Sequence, residues 1–317
     1  MSKRSISIVL PTYNVERYIS RCLDSLLRQS FTDFEVLIID DCGTDRSIRI
    51  AQEYARRHAT IKIIANSRNM GTYHARRIGV EHAQGDYIVF LDPDDELEEN
   101  TLDLIHNKFI VSNADILLYG ITYVPKRKWY VRSIHAYPPL ENQSLLEACF
   151  GDIKRNHVLG SPGKAYERNF LLQIYRSLAI DADFRYIFAE DVSLFIEAML
   201  MKPRYIALKH AGYIYYSNPT SITMVGKEKS KLNIDQYDFM LTKLRDSASK
   251  RALSEREQEL VHNALRKLSA DKHLFFRNSG AGYGYLKSVF RSFCLLPTAS
   301  KVVRMLVYVG SLGKLKV

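Results

Sequence analysis

Residues 87–96 read YIVFLDPDDE, and the interpretation of the whole chain depends on this stretch. Five mostly apolar residues without alternating polar positions are typical of a strand buried on both faces. Three aspartates, Asp92, Asp94 and Asp95, follow it. Carboxylates held this close repel one another unless a cation or hydrogen-bond donors neutralise them. The stretch therefore predicts either a Mg²⁺ or Mn²⁺ site on one or two of these carboxylates or an acidic turn that caps a helix starting near Glu98.

The chain before this stretch alternates apolar runs with amphipathic segments. Apolar runs at residues 5–10, 34–39 and 61–64 predict buried strands. Apolar side chains recur at helical spacing between them, and a further helix is expected over residues 72–83. Strands that alternate with helices indicate a mostly parallel sheet with helices on both faces, the α/β class.

Polar residues follow three of the predicted strands. They are PTYN at residues 11–14, DDCGTD at 40–45 and DPDD at 92–95. Ligands of open parallel sheets bind outside the carboxyl ends of the strands, so we expect these segments to form one site. Neither GxGxxG nor GxxxxGK(S/T) follows the first strand, which disfavours a dinucleotide site or a P-loop.

A second acidic feature occurs farther along, in FAEDV at residues 188–192. Glu190 and Asp191 would lie in the first turn of a predicted helix, where the helix dipole favours negative charge. They therefore either cap that helix or supply a general base. The basic and aromatic segment at residues 125–140 is interpreted as a surface hairpin or as a lid over the site.

Composition narrows the class of protein. The chain has 317 residues, of which 46% are hydrophobic, enough for a large core. Four widely spaced cysteines form no zinc or redox pair, which favours a reducing cytoplasmic compartment. The apolar run at residues 6–10 is too short for a signal peptide or a membrane span.

The last third of the chain is predicted to be helical and basic. The formal net charge is +10, and from residue 272 to the end there are eight Lys or Arg residues and no Asp or Glu. Such a segment favours an anionic partner, and both nucleic acid and an anionic membrane surface fit this charge. Because Lys301 and Arg304 interrupt the apolar residues, we expect an interfacial helix rather than one that spans a bilayer.

Four segments keep the order and spacing of a known family across roughly residues 4–220. They are SIVLPTYNVERYISRCLDSLLRQ, FEVLIIDDCGTDRS, NMGTYHARRIGVEHAQGDYIVFLDPDDEL and the AED at residues 189–191. Together they resemble the inverting glycosyltransferases of family 2, which have the nucleotide-diphospho-sugar transferase (GT-A) fold. The resemblance implies a Rossmann-like, mostly parallel sheet flanked by helices. It makes residues 1–220 a catalytic domain that binds nucleotide sugar and acceptor. Residues 221–317 resemble no family pattern, and their apolar spacing and charge predict a helical, basic C-terminal region.

The resemblance also implies roles for single residues. Those expected to bind the nucleotide sugar are Pro11, Thr12 and Tyr13 around the base, Asp41 on the uracil ring, Arg76 near the nucleotide, and Asp92 on the ribose or donor sugar. Asp94 would ligate a Mn²⁺ or Mg²⁺ ion that bridges the two phosphates, and Asp191 would deprotonate the acceptor hydroxyl. Two departures from the residues usual in the family, Pro93 and Arg77, bear on specificity rather than on activity.

The implied reaction moves a hexose or N-acetylhexosamine from a UDP-sugar to a glycan or lipid-linked glycan. It would serve the synthesis of lipopolysaccharide, capsule or O-antigen, with the protein held peripherally on the inner face of the cytoplasmic membrane by its basic extension. A single displacement at the sugar C1 inverts its configuration and needs only one base, in contrast to a retaining glycosidase.

Two other functions fit part of the sequence. A nucleic-acid-binding module would use the basic extension, but the aspartates at the strand ends would repel a phosphate backbone, so no nucleic acid is expected as a partner. A sugar nucleotidyltransferase needs a glycine-rich first loop and a lysine on the triphosphate, and PTYN provides neither. The donor sugar, the acceptor, the linkage and the oligomeric state stay open.

Overall fold

The structure is a computed structural model that describes residues 5–125, 144–152, 158–218, 230–276 and 285–310. The segment predicted as a hairpin or lid lies outside the described residues beyond Pro125.

The chain divides into two compact units. One comprises Met1–Leu145 and His157–Pro219, and the other comprises Leu146–Asn156 and Thr220–Val317. The assignment of residues 1–220 to catalysis and of 221–317 to a separate region stays a prediction.

A seven-stranded sheet forms the centre of the first unit. Its strands are β1 (Ile6–Thr12), β2 (Phe34–Asp40), β3 (Ile61–Ala65), β4 (Tyr87–Phe90), β6 (Ile116–Leu118), β8 (Lys164–Glu167) and β9 (Tyr205–Ala207). They lie in the order β3-β2-β1-β4-β8-β6-β9, and β8 is antiparallel to both of its neighbours while the other pairs are parallel. The predicted mostly parallel α/β sheet is confirmed. A small second sheet contains β5 (Glu96–Leu97), β10 (Tyr213–Tyr216) and β7 (Ile121–Val124) in that order.

Helices flank the large sheet. They are α1 (Ile19–Leu27), α2 (Ser47–Arg57), α3 (Thr72–His82), α4 (Thr101–Ser112), α6 (Arg168–Leu178) and α7 (Glu190–Leu200). The apolar faces of α1 and of strands β1 and β2 share one core. Continuous apolar runs suit these strands because both of their faces are buried.

The first helix begins at Ile19, although apolar residues recur at helical spacing from Val15 onward. The backbone N–H of Val15 donates to the Ser47 hydroxyl at 2.8 Å, and that of Glu16 donates to the Asp45 carboxylate at 2.8 Å. The segment before α1 is therefore held by the loop that follows β2.

The helix expected near Glu98 begins at Thr101, so the position predicted for its start is wrong. Residues Glu96 and Leu97 form β5 instead and pair with β10, and the N–H of Glu98 donates to the carbonyl of Gly212 at 2.9 Å. The chain after the aspartates thus continues as an edge strand, a pairing with residues far along the sequence that local spacing does not reveal.

The second unit is helical. It contains α8 (Ser230–Ser249), α9 (Glu255–Phe275), α10 (Tyr285–Leu295), α11 (Ala299–Gly310) and most of α5 (Leu145–Phe150). A capping box at Ser254 and Glu257 starts α9, since each side chain accepts from the backbone N–H of the other residue. None of the described helices is both long enough and apolar enough to cross a membrane.

Candidate active site

The carboxyl ends of β1, β2 and β4 lie side by side because these strands are parallel neighbours. The chain passes from β1 outward to β2 and β3, then crosses to β4 on the other side of β1. Such a reversal of strand order opens a crevice for ligands at the strand ends. Pro11 and Thr12 end β1 on this crevice, and Tyr13 follows with 45% of its side chain exposed.

The loops after β1 and β2 are tied together by Asn14. Its side-chain oxygen accepts hydrogen bonds from the N–H groups of Thr44 at 2.7 Å and Asp45 at 3.3 Å. Gly43 lies so close that an added Cβ would be 3.0 Å from both the backbone nitrogen and the side-chain oxygen of Asn14. The predicted nucleotide loops therefore form one connected edge.

Asp41 is buried beneath this edge and accepts three hydrogen bonds. The donors are the N–H groups of Met70 and Gly71 and the side-chain amide of Asn66, each at 2.8 Å. Asp41 thereby holds the turn that leads into α3. Its expected hydrogen bond to a uracil ring stays a prediction.

Asp95 is buried in the first unit. It accepts from the Tyr213 hydroxyl at 2.8 Å and from the N–H of Tyr216 at 2.8 Å. Burial raises its pKa to about 8, and the nearby carboxylates Asp92 and Asp94 add to the rise. Asp95 therefore anchors β10, which leaves Asp92 and Asp94 as the acidic groups at the crevice.

Asp94 is held from two sides. Its carboxylate accepts a hydrogen bond from the side-chain amide of Asn218 at 2.9 Å, and its backbone carbonyl accepts from the Arg21 guanidinium. That guanidinium also pairs with Glu96 at 3.1 Å and stacks 3.6 Å from the ring centre of Tyr216. Burial raises the pKa of Asp94, and the charge of Asp92 raises it further.

These acids have the chemistry that a divalent cation requires. A cation beside Asp94 would relieve the repulsion that raises its pKa. No three His, Cys, Asp or Glu side chains in the described part of the chain are arranged to hold a metal by themselves. Mn²⁺ and Mg²⁺ accept few protein ligands and complete their shells with water or phosphate oxygens. The donor set therefore fits an ion that binds together with a phosphate-bearing ligand.

Arg76, on α3, joins the aspartates to a second acidic group. One guanidinium nitrogen donates to Asp92 at 2.7 Å and another to Glu190 at 2.6 Å. The Arg76 and Glu190 side chains are buried, whereas the Asp92 side chain is 30% exposed. Arg76 therefore links the end of β4 to the start of α7, and its expected place near the nucleotide stays a prediction.

Glu190 is the buried member of the acidic pair. Burial raises its pKa to about 7, and the neighbouring Asp191 raises it as well, while Arg76 opposes the rise. Arg76 thus offers one positive charge to two carboxylates, Asp92 and Glu190. The negative charges of Glu190 and Asp191 at the start of α7 therefore repel each other without full compensation.

Asp191 lies in the first turn of α7, next to Glu190. One of its oxygens accepts from the N–H of Ser161 at 3.0 Å, and the other accepts from the N–H of Val192 at 2.8 Å. The bond to Val192 satisfies an N–H in the first turn of α7, whose N-cap residue is Ala189 and makes no side-chain cap, and the bond to Ser161 comes from a separate loop. The expected role of Asp191 as the base stays a prediction.

Several residues around the crevice were not recognised from the sequence. They are Arg21, Ser161, Lys164, Asn218 and, as an ion-pair partner, Glu190. Asn218 and Asp94 are separated by 124 positions, so no local pattern connects them. A signal existed for the loop at Ser161, because GSPGK places glycines on both sides of it, as close backbone approach often requires.

Comparisons with known proteins place the chain among glycosyltransferases. A family model described as Glycosyl transferase family 2 matches residues 7–170. The chain is 33% identical over 243 residues to an uncharacterised glycosyltransferase, EpsJ, of Bacillus subtilis, covering 69% of this chain and 63% of EpsJ. It is 37% identical over 115 residues to the poly(ribitol-phosphate) β-N-acetylglucosaminyltransferase TarS of Staphylococcus aureus, covering 35% of this chain and 20% of TarS. The chain thus spans less than two thirds of the length of these curated relatives.

Solved structures show the same fold. The S. aureus TarS 1–349 structure in complex with UDP-GlcNAc superposes with a TM-score of 0.67 at 20% identity, covering 98% of this chain and 88% of that one. The mannosyltransferase PcManGT from Pyrobaculum calidifontis, in complex with GDP-Man and Mn²⁺, superposes with a TM-score of 0.59 at 14% identity, covering 100% of this chain and 82% of that one.

Proposed function

Since this chain belongs to glycosyltransferase family 2, whose model matches just over half of its residues, we propose that it transfers a hexose or N-acetylhexosamine from a UDP-sugar. The acceptor is a glycan or lipid-linked glycan of a surface polysaccharide. A UDP-GlcNAc complex of TarS and the poly(ribitol-phosphate) in that protein's name support this class of substrates.

One observation carries the proposal. Arg76 bridges Asp92 at the end of β4 and Glu190 at the start of α7, which brings Asp191 to the edge of the sheet where the aspartates lie. A transferase needs its donor groups and its base on two sides of one sugar carbon. A chain that binds nucleotides without transferring a group has no need of the second carboxylate.

In the proposed reaction, Pro11, Thr12, Tyr13 and Asp41 bind the nucleotide and Asp92 binds the ribose or donor sugar. Asp191 accepts the proton of the acceptor hydroxyl, whose oxygen attacks C1 of the sugar from the face opposite the diphosphate. The C1–O bond to the diphosphate breaks, UDP leaves with the bonding electrons, and the configuration at C1 is inverted. Mn²⁺ or Mg²⁺ held by Asp94 would supply positive charge to the departing diphosphate.

Calorimetry of UDP binding with and without Mn²⁺ tests the donor assignment. The expected result is UDP binding that depends on the metal. In a separate assay of the same samples, one donor among UDP-glucose, UDP-galactose, UDP-N-acetylglucosamine and UDP-N-acetylgalactosamine should be hydrolysed slowly. Absence of UDP binding under both conditions would contradict the proposal. GDP- and dTDP-sugars, tested in the same way, would then identify a different nucleotide.

We also propose that α10 and α11 bind an anionic membrane surface, where a lipid-linked acceptor would lie. Large apolar side chains on these helices are exposed: Phe290, Val302, Val303 and Leu306. The exposed Lys287 and Arg291 lie on α10, and no acidic residue occurs from residue 272 onward. Exposed apolar groups beside basic ones are typical of interfacial helices.

Flotation with phosphatidylcholine vesicles, with and without phosphatidylglycerol, tests this surface. The wild-type chain should float with the anionic vesicles, and added salt should weaken the binding. Leu306→Glu should abolish flotation, since Leu306 is 66% exposed on α11. Ile110→Glu is the matched control, because Ile110 is 56% exposed on α4 of the other unit and should have no effect. Equal flotation of wild type and Leu306→Glu would contradict the proposed surface.

A further inference from the structure

Asp191 is held by the loop of residues 158–163, which precedes β8. The N–H of Ser161 donates to one Asp191 oxygen at 3.0 Å. Gly160 lies against the same oxygen, since an added Cβ there would be 2.8 Å away. Gly163 has a positive φ of 74°, and an added Cβ would be 2.5 Å from the carbonyl oxygen of Tyr119, which follows β6. The loop backbone therefore packs directly between the carboxylate and the sheet.

Lys164, the first residue of β8, is fully buried behind this loop. Its ammonium donates to the carbonyl of Val158 at 3.0 Å and to the carbonyl of Gly160. The two carbonyls belong to residues two positions apart in the loop. One ammonium thus holds the loop at two points, next to the residue whose N–H contacts Asp191.

The same ammonium also contacts the helix that carries Asp191. It lies 4.4 Å from the ring centre of Phe195, which is on α7 four residues after Asp191. Residues at this spacing lie on the same face of a helix. Lys164 therefore touches both the loop that donates to the carboxylate and the helix that bears it.

A lysine is a costly residue for this position. Lysine is rarely fully buried, because removing an ammonium from water carries a large desolvation penalty. An apolar side chain would fill a core position beside Phe195 without that penalty. The ammonium makes two hydrogen bonds to the loop carbonyls and is attracted to the aromatic ring, and an apolar side chain would make neither interaction.

We propose that Lys164 is a positioning residue for Asp191: it clamps the loop of residues 158–163 so that the N–H of Ser161 fixes the carboxylate in the crevice. The catalytic part of this inference rests on the proposed function, in which Asp191 is the base. A general base acts only when it lies within hydrogen-bond reach of the proton that it accepts, so loosening the loop lowers turnover without altering the donor site.

The test compares Lys164→Met with the wild-type chain. Met has a similar length but no donor and no charge, so both carbonyls lose their partner. Hydrogen exchange of the amides in residues 158–163 should become faster, and kcat should fall by about tenfold to a hundredfold. The Kd for UDP and the KM for the donor should stay within about twofold, because Asp92 and Asp94 keep their own contacts.

Two further variants separate positioning from general destabilisation. Leu171→Ala removes a fully buried side chain from α6, directly after β8, and leaves the loop carbonyls paired. It should not accelerate exchange in residues 158–163 selectively. Lys164→Gln keeps an amide donor on a shorter side chain. Its exchange rates and its kcat should lie between those of wild type and those of Lys164→Met. If Lys164→Met does not fold, the comparison of Lys164→Gln with wild type tests the proposal instead.

The proposal would be overturned if Lys164→Met kept the kcat and the exchange rates of the wild-type chain. It would also be overturned if Leu171→Ala lost as much kcat as Lys164→Met. If the wild-type chain transfers no sugar, the proposed function fails, while the exchange measurement still decides whether Lys164 clamps the loop.

Discussion

Asp92, Asp94 and Asp95 are neighbours in sequence, but each has different surroundings. Asp95 is buried and accepts hydrogen bonds from the Tyr213 hydroxyl and the backbone of Tyr216, whereas Asp92 is partly exposed. Burial raises the pKa of both Asp94 and Asp95, and neighbouring carboxylates add to each rise. Substitutions at these positions should therefore have different effects, although the sequence presents the residues as one cluster.

Asp94→Asn should weaken the metal-dependent part of UDP binding. An amide oxygen carries no net charge and is a poorer ligand for Mn²⁺ or Mg²⁺ than a carboxylate. The affinity for UDP in the presence of Mn²⁺ should fall by about tenfold or more, equivalent to about 1.4 kcal/mol, when measured by calorimetry. The affinity in the presence of a chelator should not change.

Glu99→Gln is the matched control for that substitution, because Glu99 is an exposed carboxylate a few residues away. Its UDP binding should equal that of the wild-type chain with and without metal. A wild-type response to Mn²⁺ in Asp94→Asn would show that Asp94 is not the metal ligand.

Asp191→Asn should stop transfer and leave UDP binding nearly intact. Asparagine can still accept the hydrogen bond from Ser161 but cannot take the proton of an acceptor hydroxyl. General bases contribute about 10² to 10⁴ in rate, so kcat should fall by that factor in an acceptor-dependent assay.

Asp181→Asn controls for the loss of a negative charge on the exposed segment before α7, and it should keep wild-type turnover. Near-normal turnover in Asp191→Asn would refute the assignment of the base, and calorimetry on the same sample would establish that the nucleotide site is still formed.

At the level of single elements, the start of α3 depends on residues from distant parts of the chain. Gly71 precedes the helix with φ of 86°, and its N–H donates to the Asp41 carboxylate. The N–H of Tyr73 donates to the carbonyl of Tyr186 at 3.1 Å. A helix that carries Arg76 is thus anchored at its first turn by the end of β2 and by the segment before α7.

Gly71→Ala should destabilise the chain by about 1–3 kcal/mol, because L-residues rarely adopt this φ. An added Cβ would also be 2.7 Å from a methyl carbon of Ile187 and 2.9 Å from the carbonyl oxygen of Tyr186. Urea denaturation measures the change. Thr72→Ala, one position along in the helix, should change the free energy of unfolding by about 0.5 kcal/mol or less; an equal effect of both substitutions would contradict the role assigned to the glycine.

At the scale of the first unit, an ion-pair chain through the buried Arg76 connects three elements. Arg76 lies on α3, Asp92 follows β4 and Glu190 begins α7. Removing one partner of a buried ion pair leaves an unpaired charge, which is more damaging than replacing both. Arg76 thus contributes to the relative placement of the proposed donor side and the proposed base.

The stability of the molecule should depend on pH through Glu190. Burial raises the pKa of Glu190 from 4.5 to about 7. Between these pH values the folded chain holds a proton that the unfolded chain has released, so folding takes up a proton and the free energy of unfolding falls as the pH rises.

Urea denaturation of wild type and Glu190→Gln at several pH values isolates this group. The difference between the two free energies of unfolding should change steadily between about pH 4.5 and about pH 7 and level off on either side. Parallel curves across this range would mean that Glu190 does not hold the proton in the folded chain.

Much of the fold follows from local sequence. The apolar runs at β1, β2 and β4 lack alternation because both faces of these strands are buried, and the helical spacing of Ile19, Cys22 and Leu26 marks the buried face of α1. The strands β7 and β8 and the helices α5 and α6 were not predicted. They are short elements whose pairing and packing come from distant residues rather than from a periodic pattern.

Local sequence specifies the α/β class, the succession of the first strands along the chain and the acidic residues at the strand ends, because period and polarity are local properties. Which side chains meet depends on the folded arrangement of distant segments. Arg76 and Glu190 are separated by 114 positions, and Asn218 and Asp94 by 124. Contacts at such separations depend on strand order and on loop closure across the whole unit, which no window of neighbouring residues contains.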